Sequence, residues 1–246
     1  MPRPKWSEAG DEAGALVYAR APFRLITMIV LNPLSLFKPV IATLKQQFSP
    51  VMLRKSLPLW LVIALTGLLV LQSALTELLR YDRELFLQGE WWRLITANFV
   101  HSNGWHWLLN VLSILVQYLL FADTWRAPRW WLIAMVCTPL NILGMHLFTD
   151  INWYVGLSGA LYGTAICGSV ALLCQREWRV GGVLFAYLNG RIVYEQLTGS
   201  PQDLAALIEA PVAIDAHLWG LISGYLALAL IFLWNRLYRT GQSALG

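Results

Sequence analysis

Residues 156–163 read Gly-Leu-Ser-Gly-Ala-Leu-Tyr-Gly and place Ser158 at the start of a long apolar run. A single serine in such a run has a simple explanation, because its hydroxyl can bond a backbone carbonyl one turn earlier. Four other polar side chains also fall in or beside apolar runs: His101, His106, Asn110 and His217. Polar groups at membrane depth are costly and usually functional. We therefore interpret Ser158 as a candidate nucleophile inside a membrane.

The composition is typical of a multi-span membrane protein. Hydrophobic residues make up 57% of the 246 residues and charged residues only 13%, which excludes an ordinary soluble domain. Many of the 13 tryptophans stand at the ends of apolar runs, as in the aromatic belt of a bilayer protein. The net charge of +4 does not indicate nucleic acid, because no basic stretch is interleaved with stacking aromatics outside these runs. The cysteines, which lie inside apolar runs, are interpreted as core residues: Cys137, Cys167 and Cys174.

Six apolar runs are long enough to cross a bilayer, which takes about 20 residues. In lipid each must be a helix, because every backbone group has to be satisfied within its own segment. The sequence therefore predicts an all-α membrane protein with a six-helix domain over 57–236, preceded by a cytoplasmic or interfacial extension, 1–56, and followed by a short cytoplasmic tail, 237–246. The predicted spans are 57–79, 104–122, 129–148, 156–174, 180–198 and 212–234.

Lysine and arginine are distributed unevenly between the loops on the two sides of these spans. One side carries only Arg80, Arg83 and Arg93, so the positive-inside rule predicts that both termini are cytoplasmic. Spans two, four and six then enter from the outer side, and their polar residues share a depth of roughly 5 to 10 Å at about 1.5 Å per residue. The positively charged side carries Lys45, Arg54, Lys55, Arg126, Arg129, Arg176, Arg179, Arg236 and Arg239.

These residues supply the parts that a serine nucleophile needs. A base must take the hydroxyl proton, and hydrogen-bond donors must stabilise the oxyanion that follows. His217 is the candidate base, while His106 and Asn110, four apart on one helix face, are candidate oxyanion donors with the Ser158 N–H. Tyr162, one turn after Ser158, is placed to orient His217, so that no carboxylate is required for this. Small residues would let the helices approach closely: Gly156, Gly159, Gly220 and Gly224.

Other polar residues have simpler interpretations. Arg191 and Glu195, four apart on the fifth predicted span, are expected to form a structural intramembrane pair, the alternative being substrate recognition or shaping of the outer end of the site. His146 is expected to be an interfacial residue with no identifiable partner. A metal site formed by His101, His106 and Asp215 is the weaker alternative, because no His-Glu-x-x-His pair is present. Such a site would also leave Asn110 and Ser158 without a role. We predict no metal and no cofactor.

Together these residues resemble the rhomboid intramembrane serine proteases over 57–236. The resemblance is in Trp92-Arg93, the spacing of His101, His106 and Asn110, the Gly-Leu-Ser-Gly motif with its following tyrosine, and Ala216-His217 with two glycines after it. It implies a catalytic dyad of Ser158 and His217, with His106 and Asn110 lining the oxyanion hole. His101 would be a structural or water-ordering residue. Trp92 and Arg93 would belong to a partly embedded loop between the first two spans, more as an interfacial anchor than in contact with substrate.

Three segments narrow the resemblance to the rhombosortases: Glu90–Leu94, Val193–Leu197 and Asp215–Gly220. These bacterial relatives are thought to process proteins with a C-terminal sorting tail, made of a Gly-Gly-containing motif, a membrane helix and a basic end. The resemblance implies a bacterial inner-membrane enzyme with a periplasmic active site and a single-pass substrate. The N-terminal segment 1–56 departs from the pattern of this subfamily, because it is longer than expected before the first span. Open alternatives are an inactive rhomboid-like protein that binds membrane clients, transfer of the acyl group to another amine, and, less favoured, a transporter.

Overall fold

The computed structural model describes residues 63–67, 73–125 and 128–243, and it is almost entirely helical there. Residues 63–67 form one helical segment. The elements that follow are α1 (Ser73–Leu79), β1 (Tyr81–Asp82), α2 (Arg83–Leu87), α3 (Arg93–Thr96) with a 3-10 turn (Ala97–Phe99), α4 (Gly104–Trp125), α5 (Pro128–Phe148), β2 (Trp153–Tyr154), α6 (Ser158–Cys174), α7 (Trp178–Thr198), α8 (Gln202–Ile208) and α9 (Ile214–Ser243).

The helices agree in position with the predicted apolar runs. Each of the second to sixth predicted spans is one long helix, α4, α5, α6, α7 or α9. The largest difference is at α9, which continues from the predicted end at 234 to Ser243, because no proline follows to stop it and a helix can extend beyond the apolar layer into water. The predicted extension 1–56 and residues 57–62 and 68–72 of the first span lie outside the described residues, as do the last residues of the tail, 244–246.

Three of the described helices are long and apolar enough to cross a membrane, over Gly104–Phe121, Trp131–Phe148 and Ile214–Leu237, and α6 is a shorter apolar helix. Helix α7 has a lower mean hydropathy than these because it carries several polar residues on its second half. Six spans and the orientation of the termini therefore stay predictions. Large apolar side chains on these helices face outward, as expected where lipid is the solvent; they include Leu132, Met135, Val183, Leu230 and Phe232.

Helix α6 lies at the centre of the bundle and contacts α4, α5, α7 and α9. Ten of its 17 residues are buried, so this helix is apolar all round and packs on every side. The main core surrounds it, with side chains such as Ile114, Tyr118, Ile166 and Leu221. Cys137 and Cys167 are buried in this core as predicted, whereas Cys174 is exposed at the end of α6. Ser158, the first residue of α6, is therefore held by the best-packed element.

A short antiparallel ribbon connects the region after α1 with the loop before α6. Tyr81 of β1 pairs with Tyr154 of β2, and Asp82 pairs with Trp153. Arg83 strengthens this connection, since its guanidinium donates to backbone carbonyls at the end of α5, including that of Thr149 at 2.6 Å, where a cation complements the helix dipole. The ribbon and Arg83 fix the approach of the chain to Ser158.

The structure gives His146 partners that the sequence did not identify. The Tyr81 hydroxyl lies 2.7 Å from His146 Nδ1, and the Phe86 ring meets the imidazole edge-on at 4.6 Å between centroids. The sequence did not indicate this contact, because Tyr81 and His146 are 65 residues apart and neither belongs to a recognisable pair pattern. His146 is therefore part of the packing between the loop after α1 and the end of α5.

Candidate active site

Ser158 and His217 meet where α6 and α9 begin. Ser158 is the first residue of α6, and His217 lies in the first turn of α9. The Ser158 Oγ is 3.1 Å from His217 Nε2, although the residues are 59 positions apart. This distance is within the range of a hydroxyl–imidazole hydrogen bond. The histidine is therefore placed to accept the serine proton.

Glycines explain how the two helices bring these side chains together. A Cβ atom on Gly220 of α9 would overlap the backbone of Gly159, and one on Gly224 would lie 2.5 Å from the Gly163 carbonyl oxygen of α6. Only glycine at both positions allows the two backbones to approach so closely. The predicted role of Gly159, Gly220 and Gly224 in tight packing thus agrees with the geometry of this interface.

Gly156 has a different role in the loop before α6. Its φ of +116° lies in the region that favours glycine, and a Cβ there would lie 2.6 Å from the Nε2 of His106. Its N–H donates to the Ala97 carbonyl, and its own carbonyl accepts from the Tyr154 hydroxyl. The glycine therefore lets the chain turn into α6 beside the imidazole of His106.

The His217 ring is held on two further sides. The ring of Tyr162 stacks on it with centroids 4.7 Å apart and an interplanar angle of 29°, the arrangement expected from the position of Tyr162 one turn after Ser158. The other ring nitrogen, Nδ1, lies 2.8 Å from Glu195 Oε2. The sequence interpretation, in which an aromatic ring could orient the histidine without a carboxylate, did not anticipate this contact.

Glu195 and Arg191 form the expected pair on α7, with Arg191 Nε 2.9 Å from Glu195 Oε1. The pair is not isolated, however, because the second oxygen of Glu195 contacts His217. Only 1% of Glu195 is exposed. The alternative interpretation of this pair is substrate recognition or shaping of the outer end of the site, which no contact here tests. The geometry joins α6, α9 and α7 through Ser158, His217 and Glu195.

A cavity of about 440 Å³ opens at this point, and His106, Asn110, Ser158 and His217 all line it. The shared depth predicted from the loop charges is consistent with this convergence. One N–H of the Asn110 amide donates to the His106 carbonyl at 2.8 Å, which leaves its second N–H for another acceptor. The Ser102 hydroxyl lies 3.0 Å from His106 Nδ1. These contacts orient both candidate oxyanion donors at the cavity wall.

Helix α8 borders the same cavity with Leu204 and Ile208. Its last turn is tied down by Ser102, whose hydroxyl donates to the Ile208 carbonyl at 2.6 Å, and by Asn103, whose amide donates to the Leu207 carbonyl. The predicted spans 180–198 and 212–234 leave 199–211 as a connecting loop, so this helix is not predicted from the sequence. The available signal was Pro201 followed by Gln202 and an acidic residue in the first turn, a typical helix start.

His101 lies next to the site but outside the cavity wall. It is buried, its ring meets that of His106 at a 5.1 Å centroid distance and an 87° angle, and neither ring nitrogen has a partner among the residues that the structure describes. Burial, with a smaller contribution from His106, lowers the pKa of His101 to about 3. His101 is therefore neutral at physiological pH and supports the position of His106.

Trp92 and Arg93 lie in the segment between α2 and α4, away from the cavity. Arg93 is buried, pairs with Glu90 at 2.6 Å, and donates to the carbonyls of Arg80 and Glu77. Trp92 is exposed. The arginine thus fastens this segment to the end of α1, in agreement with an anchoring role for the loop more than with contact to a substrate.

Comparisons with known proteins identify relatives of this chain. A family model described as the Rhomboid domain matches residues 88–234. The rhomboid YdcA of Bacillus subtilis (strain 168) is 26% identical over 139 residues, 56% of this chain and 66% of the relative. RHOMBOID-like protein 1 of Arabidopsis thaliana is 31% identical over 58% of this chain and 35% of the relative. Rhomboid protease GluP of Bacillus subtilis is 24% identical over 61% and 28%.

The chain spans 66%, 35% and 28% of the lengths of these three relatives. The matched region nevertheless contains every residue that lines the cavity, together with the helices that carry them. The apolar helices and this match identify a multi-pass membrane protein. Because the family model covers more than half of the sequence, the chain belongs to the rhomboid family.

Proposed function

We propose that this rhomboid is an intramembrane serine protease that cleaves a single-pass membrane protein near the outer boundary of the bilayer. The observation that supports this best is the 3.1 Å contact between Ser158 Oγ and His217 Nε2 at the wall of a cavity that His106 and Asn110 also line. A nucleophile, a base and oxyanion donors are the groups that acyl transfer requires. An inactive rhomboid that only binds clients would not need them together.

The first half of the reaction forms an acyl-enzyme. Ser158 Oγ attacks the scissile carbonyl carbon while its proton passes to His217 Nε2, and the carbonyl π electrons move to the oxygen. The oxyanion accepts hydrogen bonds from the Ser158 N–H and the free N–H of Asn110. His106 can add a third from Nε2 only if the Ser102 hydroxyl donates to His106 Nδ1 instead of to the Ile208 carbonyl. On collapse the C–N bond breaks, and His217 gives the proton to the leaving nitrogen. Ser158 is then left as an ester.

The second half regenerates the enzyme. A water molecule gives a proton to His217 and attacks the ester carbon, and the new tetrahedral intermediate expels Ser158 Oγ, which takes the proton back. Water must therefore enter the cavity from one face of the membrane. With the predicted topology of six spans and cytoplasmic termini, that face is the periplasm of a bacterial inner membrane.

We further propose that the substrate carries a C-terminal sorting tail with a Gly-Gly-containing motif, a membrane helix and a basic end. This assignment rests on the resemblance of three segments to the rhombosortases: Glu90–Leu94, Val193–Leu197 and Asp215–Gly220. Two of the three contribute to the site, because they contain Glu195 and His217. A glycine motif before the membrane helix would also present little side-chain bulk to the largely apolar cavity wall.

The test is labelling of detergent-solubilised protein with a fluorophosphonate probe, which phosphonylates an activated serine. We expect stoichiometric labelling of the native chain and none of Ser158→Ala, since removal of a nucleophile of this kind costs roughly 10⁶-fold in rate. The matched control is Ser113→Ala, which removes another serine at the cavity and should label normally. Unlabelled native protein would instead favour the client-binding alternative.

Substrate class is tested separately with two single-pass proteins that differ only in the tail. Cleavage of a Gly-Gly sorting tail in preference to a tail with the glycines replaced by leucine is the expected result, and equal cleavage would refute the rhombosortase assignment. Mass spectrometry of the product shows whether the acyl group goes to water. Free carboxyl termini indicate hydrolysis, and a new amide indicates transfer to an amine.

A further inference from the structure

The two oxygens of the Glu195 carboxylate have different partners, although the side chain is almost fully buried. Oε1 accepts from Arg191 on the same helix at 2.9 Å, and Oε2 lies 2.8 Å from His217 Nδ1 on α9. An ordinary i,i+4 ion pair explains the first contact but not the second. Burying a carboxylate is costly unless it is paired and hydrogen-bonded, so the second contact is part of what keeps Glu195 in place.

We propose that Glu195 is a positioning residue that completes a Ser158–His217–Glu195 triad inside the membrane domain. This inference rests on the proposed protease function and deepens it. Three helices contribute one member each, α6 the serine, α9 the histidine and α7 the glutamate. The glutamate does not touch the substrate and acts through the histidine.

The first effect of the carboxylate is on the tautomer of His217. An ionised carboxylate only accepts hydrogen bonds, so Nδ1 must carry the imidazole proton. Nε2 then has the free electron pair, and it is Nε2 that lies 3.1 Å from the serine hydroxyl. A base with the opposite tautomer could not take the Ser158 proton. The carboxylate thus selects the form of the ring that the first step requires.

The second effect is on the charge that develops during the reaction. When His217 takes the Ser158 proton, it becomes an imidazolium 2.8 Å from a carboxylate oxygen. In surroundings of low dielectric such a pair of opposite charges interacts far more strongly than in water. The stacked Tyr162 ring restrains the plane of the imidazole, but it supplies no full negative charge. The ring and the carboxylate therefore have separate roles.

Arg191 limits how the carboxylate can move. Its Nε holds Oε1 from a position one turn earlier on α7, and 30% of its side chain is exposed, so the guanidinium reaches toward the outside while the carboxylate stays buried. With Oε1 occupied, Oε2 is left to face His217. The guanidinium orients the glutamate in the way that the glutamate orients the histidine.

The competing explanation is that Glu195 only ties α7 to α9. The structure offers a matched control for this, because a second polar contact joins the same two helices. The Tyr225 hydroxyl of α9 donates to Asn189 Oδ1 of α7 at 2.8 Å, and neither residue contacts His217. Loss of the Asn189 contact should weaken the helix pair without changing the base.

The experiment measures fluorophosphonate labelling of the full chain in detergent, recording the rate constant and the final labelled fraction separately. A positioning role affects the rate, whereas a merely structural role lowers the fraction of competent protein. For Glu195→Gln we expect a rate constant about 10²- to 10⁴-fold lower at an unchanged final fraction, the upper value being that of a wrong tautomer in a soluble triad. Asn189→Ala should label within about threefold of the native rate, since its hydrogen bond contributes only to stability.

A conservative substitution of Glu195 provides a second test of the proposal. Glu195→Asp keeps the charge and the acceptor-only chemistry but withdraws the carboxylate by one methylene. We expect its rate to lie between those of the native chain and Glu195→Gln, at least about tenfold above the glutamine variant, because charge and tautomer are retained while geometry is not. If Glu195→Gln does not fold, the labelling rate constant of Glu195→Asp tests the proposal instead. A rate constant equal to that of the native chain would overturn it.

The possible results distinguish failure of the proposed protease function from failure of the proposed triad. Native protein that shows no Ser158-dependent labelling overturns the protease assignment and the triad with it. Native protein that labels while Glu195→Gln labels at the same rate overturns the triad alone. The triad is also overturned if Asn189→Ala lowers the labelling rate constant as strongly as Glu195→Gln does. It is likewise overturned if Glu195→Gln lowers the final labelled fraction but leaves the rate constant unchanged.

Discussion

Helix α9 packs against α6 and α7 in contrasting ways. Against α6 the contact is backbone on backbone, since Gly220 and Gly224 face Gly159 and Gly163 with no room for a Cβ atom. Against α7 the contact relies on side chains. Glu195 reaches His217, and Tyr225 donates to Asn189.

The difference shows how the two sides of His217 are controlled. The separation of the Ser158 and His217 backbones follows from the close contact between α6 and α9, which no rotamer change can alter. The contact with Glu195 depends on side-chain torsions and on the rotation of α7, so it can be lost without separating the helices. The backbones of the proposed nucleophile and base are thus set rigidly, whereas the contact with the proposed positioning carboxylate is adjustable.

The largest expected effect comes from breaking the backbone contact with Gly220→Ala. The new methyl group overlaps Gly159 and must push α6 and α9 apart, which lengthens the Ser158–His217 hydrogen bond. Overpacking of this kind costs about 1–3 kcal/mol of stability or more, and a displacement of about 1 Å at reacting groups costs about 10²-fold in rate. Thermal unfolding in detergent and the labelling rate measure the two effects.

The control is Gly190→Ala, a chemically identical change on the exposed face of α7. Since its Cβ would meet nothing within 4 Å, we expect an unchanged labelling rate and a slightly higher unfolding temperature, because alanine favours a helix over glycine by about 1 kcal/mol. Equal damage from both substitutions would show that the loss comes from adding a methyl group to a helix glycine and not from the backbone contact between α6 and α9.

A smaller effect is expected at Tyr162, the aromatic part of the α6 contact. Tyr162→Ala removes the stacking on His217, which for an aromatic pair contributes about 0.5–1.5 kcal/mol, so labelling should slow by up to about tenfold. Tyr162→Phe keeps the ring and should label at nearly the native rate. If the phenylalanine variant were as slow as the alanine variant, the hydroxyl and not the stacked ring would be the important group.

The smallest effect is expected from Tyr225→Phe, which deletes the hydrogen bond to Asn189 while keeping the ring that packs edge-on against Phe185. A hydrogen bond of this kind contributes about 0.5–1.5 kcal/mol. We expect a modest fall in unfolding temperature and no change in labelling rate. A large loss of rate would mean that the orientation of α7 depends on this one bond and is less adjustable than the geometry suggests.

Much of the site was predictable because its signals are local or cumulative. Apolar runs gave the positions of α4 to α7 and α9, since a segment in lipid must satisfy its own backbone groups. Loop charges suggested a common depth for Asn110, Ser158 and His217, which line one cavity in the structure. The position of Tyr162 one turn after Ser158 was sufficient to anticipate its approach to the histidine.

The contacts that were missed depend on how separate elements are rotated against each other. Glu195 already had a partner in Arg191 at i,i+4, so its sequence pattern was complete without His217. The Tyr81–His146 contact and the ribbon between β1 and β2 join segments more than 60 residues apart through only a few atoms. Neither hydropathy nor spacing records the rotation of α7 about its own axis, and the interpretation of Glu195 depended on that rotation.

The length of α6 has a consequence for the membrane around the protein. Its 17 residues rise about 25 Å at about 1.5 Å per residue, less than the roughly 30 Å of hydrocarbon in a typical bilayer. A helix facing lipid would have to thin the bilayer to correct such a mismatch. Because four other helices surround α6 and a cavity opens at its first residue, lipid does not have to make up the missing turn. If Ser158 lies near the outer face as proposed, we expect water in this cavity to stand where lipid tails would otherwise be, without deformation of the bilayer.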